Sequence, residues 1–505
     1  MMKKFPLYLL LGLSIVSFKT YANDIYLKDD TRLVNGKLYD VNGDPITGVY
    51  EEFYDNNIQK SRLLYKNGIR DGVATFYNEN GSKESEVPYV SGSPEGIALM
   101  YYKDGELKAK IPYKRGNIDG IKRTFYKNGN IKSRITYVSN TPDGEAKTYY
   151  DDGTLKQTYT NINGIKNGQS VVYYPDGSVA EKFEYQNNSI VNNREIFYKS
   201  GNLKSTIQYA QGKKNGLSQN YYEEGGLESE IPYVNDVLKG VGTFYGPDGK
   251  MTLKVTYDNN IRQGKATAYY PNGKEHIIAN YQNDIKENVE TKFYPSGAIE
   301  SETTYQNGIV NGTTRKYYET SVLKEEIPYI NASITGIAKY YDENGALIRE
   351  TTFLNSIKNG LQKEFNKEGT TIKEITYKNN IEDGDYKEYY PSGKIKSNAF
   401  YKNGNLEGMS VIYDEEGNIT YEIPYINNRK DGIVKRYYPT GEVMGEITYE
   451  KGKKHGMLSA YNKDQTLMAK VLFNKDEAIK GYSLNHGKDP KLMSKEELKT
   501  INETY

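Results

Sequence analysis

The sequence predicts an all-β protein: an elongated antiparallel β-meander of about eighteen 24-residue β-hairpin repeats, twisted or coiled, with a short C-terminal helical cap. Three observations carry this expectation. From Gly48 a 24-residue unit recurs eighteen times without insertion or deletion, aromatic residues hold fixed places in it, and its apolar positions fall on alternate residues. Alternation is the signature of a strand, and a strict short period marks stacked units that cannot bury an apolar face alone. The repeat therefore overrides the prior of about three domains that the length suggests.

Four segments follow from the pattern: a signal peptide at 1–22, an N-terminal cap and partial repeat at 23–47, the repeats at 48–479, and a C-terminal cap at 480–505. The first segment has Lys3 and Lys4, an apolar stretch from Phe5 to Phe18, then Thr20-Tyr21-Ala22 before the cleavage point. This is a secretory pattern, too short to span a membrane comfortably. Export to the periplasm, the outer surface or the medium is expected. Cleavage would remove Lys3, Lys4 and Lys19 and leave 64 basic against 66 acidic residues. That balance gives no electrostatic case for nucleic acid. With no cysteine, neither disulfides nor a lipidated thiol contribute.

Counting each unit from its opening residue as offset 0, that residue is Gly in sixteen units and Asn at 192 and 288. In the unit from Gly120, apolar offsets 1, 5, 11, 15 and 17 are Ile121, Phe125, Ile131, Ile135 and Tyr137. Lys127-Asn128-Gly129 separates the two strands, and a three-residue loop wants its last residue in the left-handed region. Offset 9 is Gly in fifteen units, with Asn57, Ser321 and Gln465 the exceptions. The loop predicts pairing of offset 6 with 10, 5 with 11, 3 with 13 and 1 with 15, placing all the odd apolar positions on one face. The second turn carries Gly, Asn or Asp at offset 20 in sixteen units, with Ala332 and Ser356 as departures. Val34 to Thr47 resembles an incomplete unit, and Ser494 with Glu497 reads as a capping box.

The tyrosines divide into three columns. Offset 5 is Tyr thirteen times and Phe at Phe53, Phe125, Phe197, Phe293 and Phe365; offset 17 is Tyr fifteen times, with Asn161, Phe353 and Phe473 as exceptions. Both columns read as structural. Offset 6 is Tyr54, Tyr102, Tyr126, Tyr150, Tyr174, Tyr198, Tyr222, Tyr270, Tyr294, Tyr318, Tyr390 and Tyr438, and elsewhere Asn78, Gly246, Asp342, Asn366, Asp414 or Asn462, never Phe. Exchange with small polar residues implies solvent exposure on the face opposite the core. The column is then either a set of cross-strand aromatic pairs or a ladder of stacking platforms for a partner.

Other features point away from chemistry. His276, His455 and His486 are too dispersed for a triad or a His-rich metal site, so no metal and no cofactor are expected. The acidic turns Asp151-Asp152-Gly153, Asp342-Glu343-Asn344-Gly345 and Glu415-Glu416-Gly417 match no calcium loop. Gly240-Val241-Gly242 with Gly246 sits in a strand, not between a strand and a helix as a nucleotide loop requires. Pro232, Pro328 and Pro424 share offset 16 at a 96-residue spacing and read as residual segmental duplication. No unit departs from the template so as to concentrate carboxylates, so an enzyme is not expected.

Tyr65 to Gly72 (YKNGIRDG), Tyr401 to Gly408 (YKNGNLEG) and Tyr449 to Gly456 (YEKGKKHG) resemble the MORN repeat, and the 24-residue unit with its YYxxG loop resembles the bacterial MORN-repeat variant. The resemblance implies a β-hairpin array used as an interaction scaffold. It also brings three other labels: peripheral lipid association, an antitoxin, and the kinase that accompanies such repeats in plants. Nothing in the chain is left over for a kinase domain, and no kinase signature occurs. The expectation is an exported, non-enzymatic scaffold for a protein or glycan partner, adhesion being the concrete version. Peripheral membrane contact, self-association, an antitoxin-like role and an enzyme, such as a glycan hydrolase with carboxylates on the sheet, are the alternatives.

Overall fold

The computed structural model describes residues 24–484 and 489–504. The signal-peptide segment and His486 lie outside them. The described chain is almost wholly β, and it divides between Val237 and Leu238 into two compact units. Each unit is an antiparallel meander in which every 24-residue repeat supplies one hairpin and a two-residue turn leads to the next.

The repeat from Gly120 shows the construction. Strand Gly120–Phe125 pairs with Ile131–Val138, and the tip closes by bonds from Tyr126 N–H to the Asn130 carbonyl (2.8 Å) and from Gly129 N–H to the Tyr126 carbonyl (3.0 Å). This is the expected three-residue loop. Gly129 has φ +86°, and the three non-glycine residues at this place, Asn57, Ser321 and Gln465, also have positive φ. The backbone conformation is thus kept where the glycine is not.

The register beyond the tip differs from expectation. Phe125 faces Ile131 as predicted, but Thr124 then faces Ser133, Lys122 faces Ile135, Ile121 faces Thr136 and Gly120 faces Tyr137. Lys132, at offset 12, is an extra residue without a partner: a β-bulge. The same shift recurs in the repeats from Gly72, Gly360 and Gly432. One inserted residue displaces the predicted 3/13 and 1/15 pairings and changes which side chains share a face. Offsets 2, 4, 13, 15 and 17 form the buried face, while 1, 3, 5 and 14 lie on the other. At offset 2, Ala74, Ala98, Ala146, Ser170 and Ala338 are at most 1% exposed, whereas Val73, Ile97 and Ile337 at offset 1 are 42–57% exposed. The two structural tyrosine columns therefore lie on opposite faces, not on one.

On the buried face the offset-17 ring covers the small offset-2 residue. A Cβ added to Gly242 would lie 3.1 Å from the Tyr257 ring, which accounts for the glycine pair once compared with a nucleotide loop. A cation at offset 22 of the preceding repeat caps many of these rings: Arg262 lies 4.2 Å from the Tyr281 centroid, Lys214 4.8 Å from Tyr233 and Lys430 5.1 Å from Tyr449. In the repeat where Asn161 replaces the tyrosine, Lys166 of the same repeat lies 4.6 Å from Tyr159 and 5.1 Å from Tyr185 of the next.

On the other face, offset-5 hydroxyls reach a glutamate of the preceding repeat. Tyr101 donates to Glu86 (2.5 Å), Tyr317 to Glu302 (2.8 Å), Tyr389 to Glu374 (2.8 Å) and Tyr437 to Glu422 (2.7 Å). Lys182 instead lies 5.4 Å from the Phe197 ring, a cation facing a ring that has no hydroxyl to donate.

The offset-0 residue is glycine for two reasons. Its φ is positive, +128° at Gly384, and a Cβ there would meet Thr376 Cβ at 2.9 Å. Pro112, Pro328 and Pro424 press on the following Gly120, Gly336 and Gly432 in the same way, which gives the offset-16 prolines a packing role. The substitutes Asn192 and Asn288 keep a positive φ, and Asn192 Nδ2 donates to Glu184 at 2.8 Å. A flexible side chain at offset 16 stands there in place of proline.

The connecting turns have positive φ at both central residues, as in Ser139 and Asn140 or Asn67 and Gly68, which is a type I′ turn. Ala332 and Ser356 also take positive φ. These turns stack. Asn140 N–H donates to the Ile118 carbonyl (2.8 Å) and its Oδ1 accepts from Ile118 N–H (2.7 Å). Asp284 does the same with Arg262, and Asn380 with Lys358. Gly116 and Gly164 lack the acceptor, and there the preceding partner is Pro94 or Pro142, which has no N–H to satisfy.

At the N-terminal end, Ile25–Leu27 runs parallel to Gly48–Phe53, and Thr31–Val34 pairs with Lys37–Asp40 as a separate small sheet. Asp40 N–H bonds to the Asp44 carbonyl (2.8 Å) and Gly43 N–H to the Asp40 carbonyl (3.2 Å), the same three-residue loop that closes the repeat tips. At the other end Ser494 and Glu497 form the capping box, Glu497 accepting from Ser494 N–H (2.6 Å) and donating its own N–H to Ser494 Oγ (3.1 Å). Helix Lys495–Thr504 packs Leu498 and Ile501 with Met493 onto Val471, Phe473 and Ala478. A hydrophobic cluster covers the final strand pair.

The Tyr–Glu bonds make stability depend on pH at both ends of the scale. Burial, then the bond to the glutamate, pushes Tyr101, Tyr389 and Tyr437 up to about 12. Their contribution is complete below the ordinary tyrosine value of about 10 and is lost as pH rises through about 12. Glu86 is held below its usual range by Lys83 and then Tyr101; burial works against Glu374, but Tyr389 and Lys363 outweigh it and lower it too. Their contribution is present above the ordinary glutamate value and disappears as pH falls through the depressed one. A spectrophotometric titration should show a late-ionising set of tyrosines that moves to lower pH in the E86Q/E374Q/E422Q variant.

Candidate binding site

The offset-6 column has a different place from the one expected. All twelve tyrosines are half-buried at the hairpin tips rather than exposed. The hydroxyls of Tyr54, Tyr102, Tyr126, Tyr150, Tyr174, Tyr198, Tyr270, Tyr294, Tyr318, Tyr390 and Tyr438 each donate to the backbone carbonyl 23 residues ahead, in the next repeat, at 2.7–3.0 Å. This explains why Phe never appears. The hydroxyl ties one hairpin to the next.

The polar substitutes close their own tip instead. Asp342 Oδ1 accepts from Asn344 and Ala346 N–H (both 2.9 Å), Asn366 Oδ1 from Thr370 N–H (2.8 Å), and Asp414 Oδ1 from Gly417 and Asn418 N–H. Such local side-chain turns are what Asp and Asn do best. The bulge residue adds a lysine over many of the rings, as in Lys156 over Tyr150 (5.3 Å) and Lys324 over Tyr318 (5.2 Å). His276 takes that place against Tyr270, with ring centroids 4.2 Å apart, and His455 lies 3.8 Å from Glu450.

Two consecutive tips, Asp342 and Asn366, lack the tyrosine tie, and there the second unit has a cleft. Its volume is ≈ 440 Å³, and Tyr318, Glu325, Tyr340, Arg349, Glu364 and Ile348 are among the residues around it. The strands Gly336–Tyr341, Leu347–Leu354 and Ile357–Phe365 carry its centre. Offsets 4 and 13 build it. Here the two offsets bring Glu325, Tyr340, Arg349 and Glu364 together; offset 13 is small in many repeats, as in Ser61, Ser85, Ala109, Ser205 and Ser229, and large in others, as in Gln157, Glu181, Leu253, Ile277 and Tyr421.

The charges around the cleft are unequally committed. Glu325 pairs with Lys316 at 2.8 Å, an interaction that raises the lysine. Glu364 accepts from Gln362 Nε2 at 3.1 Å. Arg349 is exposed and stacks on Tyr340, its guanidinium carbon 4.2 Å from the ring centroid. Farther along the same face, Tyr386 donates to Glu388 (2.6 Å) and is raised by its burial and by that carboxylate. Among the described residues no three His, Asp or Glu side chains gather as metal ligands do.

A second surface feature lies on the opposite face, toward the type I′ turns. Offsets 1, 18 and 21 leave a stripe of aliphatic side chains partly in solvent; in the second unit it includes Val289, Ile330, Ile337, Leu354, Ile381 and Ile433. The sequence reading had assigned offset 1 to the core. The bulge puts it outside.

Comparison with curated proteins found no match. Solved structures resembling the chain include the TcdB2-TccC3 crystal structure and its complex with Cdc42, both at 9% identity and a TM-score of 0.14, covering 89% of this chain. The Photorhabdus luminescens Tc holotoxin pore matches at 10% identity and a TM-score of 0.13. The chain spans about a third of the length of those in the two crystal structures, 34% and 33%, and 27% of that in the pore. The family described as MORN repeat variant matches fourteen segments from 70–91 to 430–451, each running from the end of one hairpin connection to the next type I′ turn. Its tyrosine-tied hairpins and these matches, which cover more than half of the sequence, place the chain in the MORN repeat variant family, to which it belongs.

Proposed function

We propose that this protein is an exported, non-enzymatic repeat scaffold that holds a protein or glycan partner at the cell envelope or outside the cell, adhesion being its concrete form. The observation that carries the reading is the cleft around Tyr340 and Arg349. It is where the tip tie lapses in two successive repeats, at Asp342 and Asn366, and where charged and aromatic side chains gather, and departures from a local rule gather at functional sites. Of the offset-6 tyrosines, Tyr318 lines the cleft, so the partner is expected there rather than along the whole column. The Lys3–Lys4 and Phe5–Phe18 pattern supports export.

The aliphatic stripe favours a second reading, peripheral association with a lipid surface, because exposed apolar rows of this kind mark interaction sites. Its test is flotation with anionic liposomes at low salt, where absence of binding removes it.

For the main reading, the protein beginning at Asn23 should be retained on envelope preparations from its own cells. An R349A/Y340S variant with an unchanged β circular-dichroism spectrum should lose at least tenfold in retention. Unchanged retention would sink the assignment of binding to the cleft. The hairpin tie offers an independent check on what the other tyrosines do: Y126F should cost about 1 kcal/mol in a denaturant titration, the worth of one hydrogen bond. Y173F, at offset 5, should cost less.

A further inference from the structure

We infer that the cleft takes a neutral, hydroxyl-rich ligand, a short segment of uncharged oligosaccharide; the inference rests on the binding function proposed above and names the class of ligand. Charge is the first argument. Two cations, Lys324 and Arg349, and two carboxylates, Glu325 and Glu364, surround the cleft, so neither a strongly anionic nor a strongly cationic ligand is favoured. The cleft instead offers donors and acceptors side by side. A hydroxyl donates once and accepts twice, so a chain of sugar hydroxyls can use both kinds of group, whereas a carboxylate or an ammonium group can use only one.

The state of each group supports the same ligand. The Arg349 guanidinium carbon lies 4.2 Å from the Tyr340 ring centroid, which holds the side chain beside the ring while its N–H groups have no carboxylate partner among the described residues. A planar, preorganised fork is suited to two neighbouring oxygens. Glu364 has one oxygen engaged by Gln362 at 3.1 Å and keeps acceptor capacity, and it stands directly across the strand pair from Arg349. An adjacent donor fork and acceptor match the adjacent hydroxyls of a pyranose.

Apolar surface completes the site. Ile348 is 41% exposed beside Ile372, and Tyr318 and Tyr340 supply aromatic walls. These can cover the C–H faces of a sugar ring, which a site made only of charges could not. The volume of ≈ 440 Å³ lies in the range of about 300–1,000 Å³ typical of small-molecule sites and suits a short oligosaccharide better than a folded protein surface.

The test uses the protein from Asn23 to Tyr505 and neutral hexasaccharides of β-linked glucose, α-linked glucose, mannose and N-acetylglucosamine, with oligogalacturonate as the acidic control. Binding is followed by saturation-transfer NMR and calorimetry. At least one neutral probe should bind, and R349A and E364Q should each weaken it at least tenfold. R123A, on the opposite face of the other unit, should leave it unchanged. Failure of every neutral probe at millimolar concentration, preference for oligogalacturonate, or equal binding by R349A and E364Q would overturn the inference. Envelope retention separates the two readings. If it is lost in R349A/Y340S while no sugar binds, the cleft binds a partner of another class and only the glycan inference falls. If retention and sugar binding are both untouched by the variants, both fall.

Discussion

The hydrogen bond from a side chain of one hairpin to the backbone of the next is the constraint on which this structure depends. A single hairpin is marginal in water, and a one-layer meander gives each hairpin little apolar area to bury. Here both margins of the meander are tied within each unit. At the tips, the offset-6 tyrosine hydroxyl meets a carbonyl of the following repeat, as Tyr150 does at Tyr173. At the turns, an Asn or Asp side chain accepts the N–H of the preceding connection, as Asn188 does from Lys166. Each bond alone is worth about 1 kcal/mol, but the same bond repeated at a fixed period fixes the register of successive hairpins.

This arrangement makes sense of a core that is short of large side chains. Ala74, Ala98, Ala146 and Ser170 hold the small offset-2 position that the Tyr257 ring covers at Gly242, and cations such as Arg262 and Lys430 cover the offset-17 rings of the repeats that follow them. The layer covering the sheet is made from its own aromatic and basic side chains. Loss of the tip tyrosine at Asp342 and Asn366 therefore has a local result: the tip is closed by its own carboxylate or amide, and the ring that would have filled the space is missing. The cleft is what remains when the rule is suspended twice in succession.

Much of this was legible in the residues. Gly129 and its equivalents announced the left-handed loop position, and even Ser321 and Gln465, which look like failures of the pattern, keep the conformation. Ser494 and Glu497 announced the helix cap, and the two bonds between them are present. The offset-6 column was separable from the others by its exchanges alone. Its burial differs from the exposure expected, because Asn and Asp can replace tyrosine either where a side chain is exposed or where a polar group must satisfy backbone, and composition does not distinguish the two.

The sequence by itself determined the period, the two kinds of turn, the strand alternation and the family, because each depends on local backbone preference or on direct repetition. Tertiary structure decided the faces. A bulge at Lys132 and its equivalents is invisible as a pattern, since a lysine there looks like any exposed strand residue, yet one added residue reverses the side to which every neighbour on that strand points. It moved offset 1 to the surface and offset 2 to the core. The cleft likewise depends on strand pairing: Tyr340 faces Arg349 within one hairpin, and Arg349 faces Glu364 only once the next hairpin is paired in register.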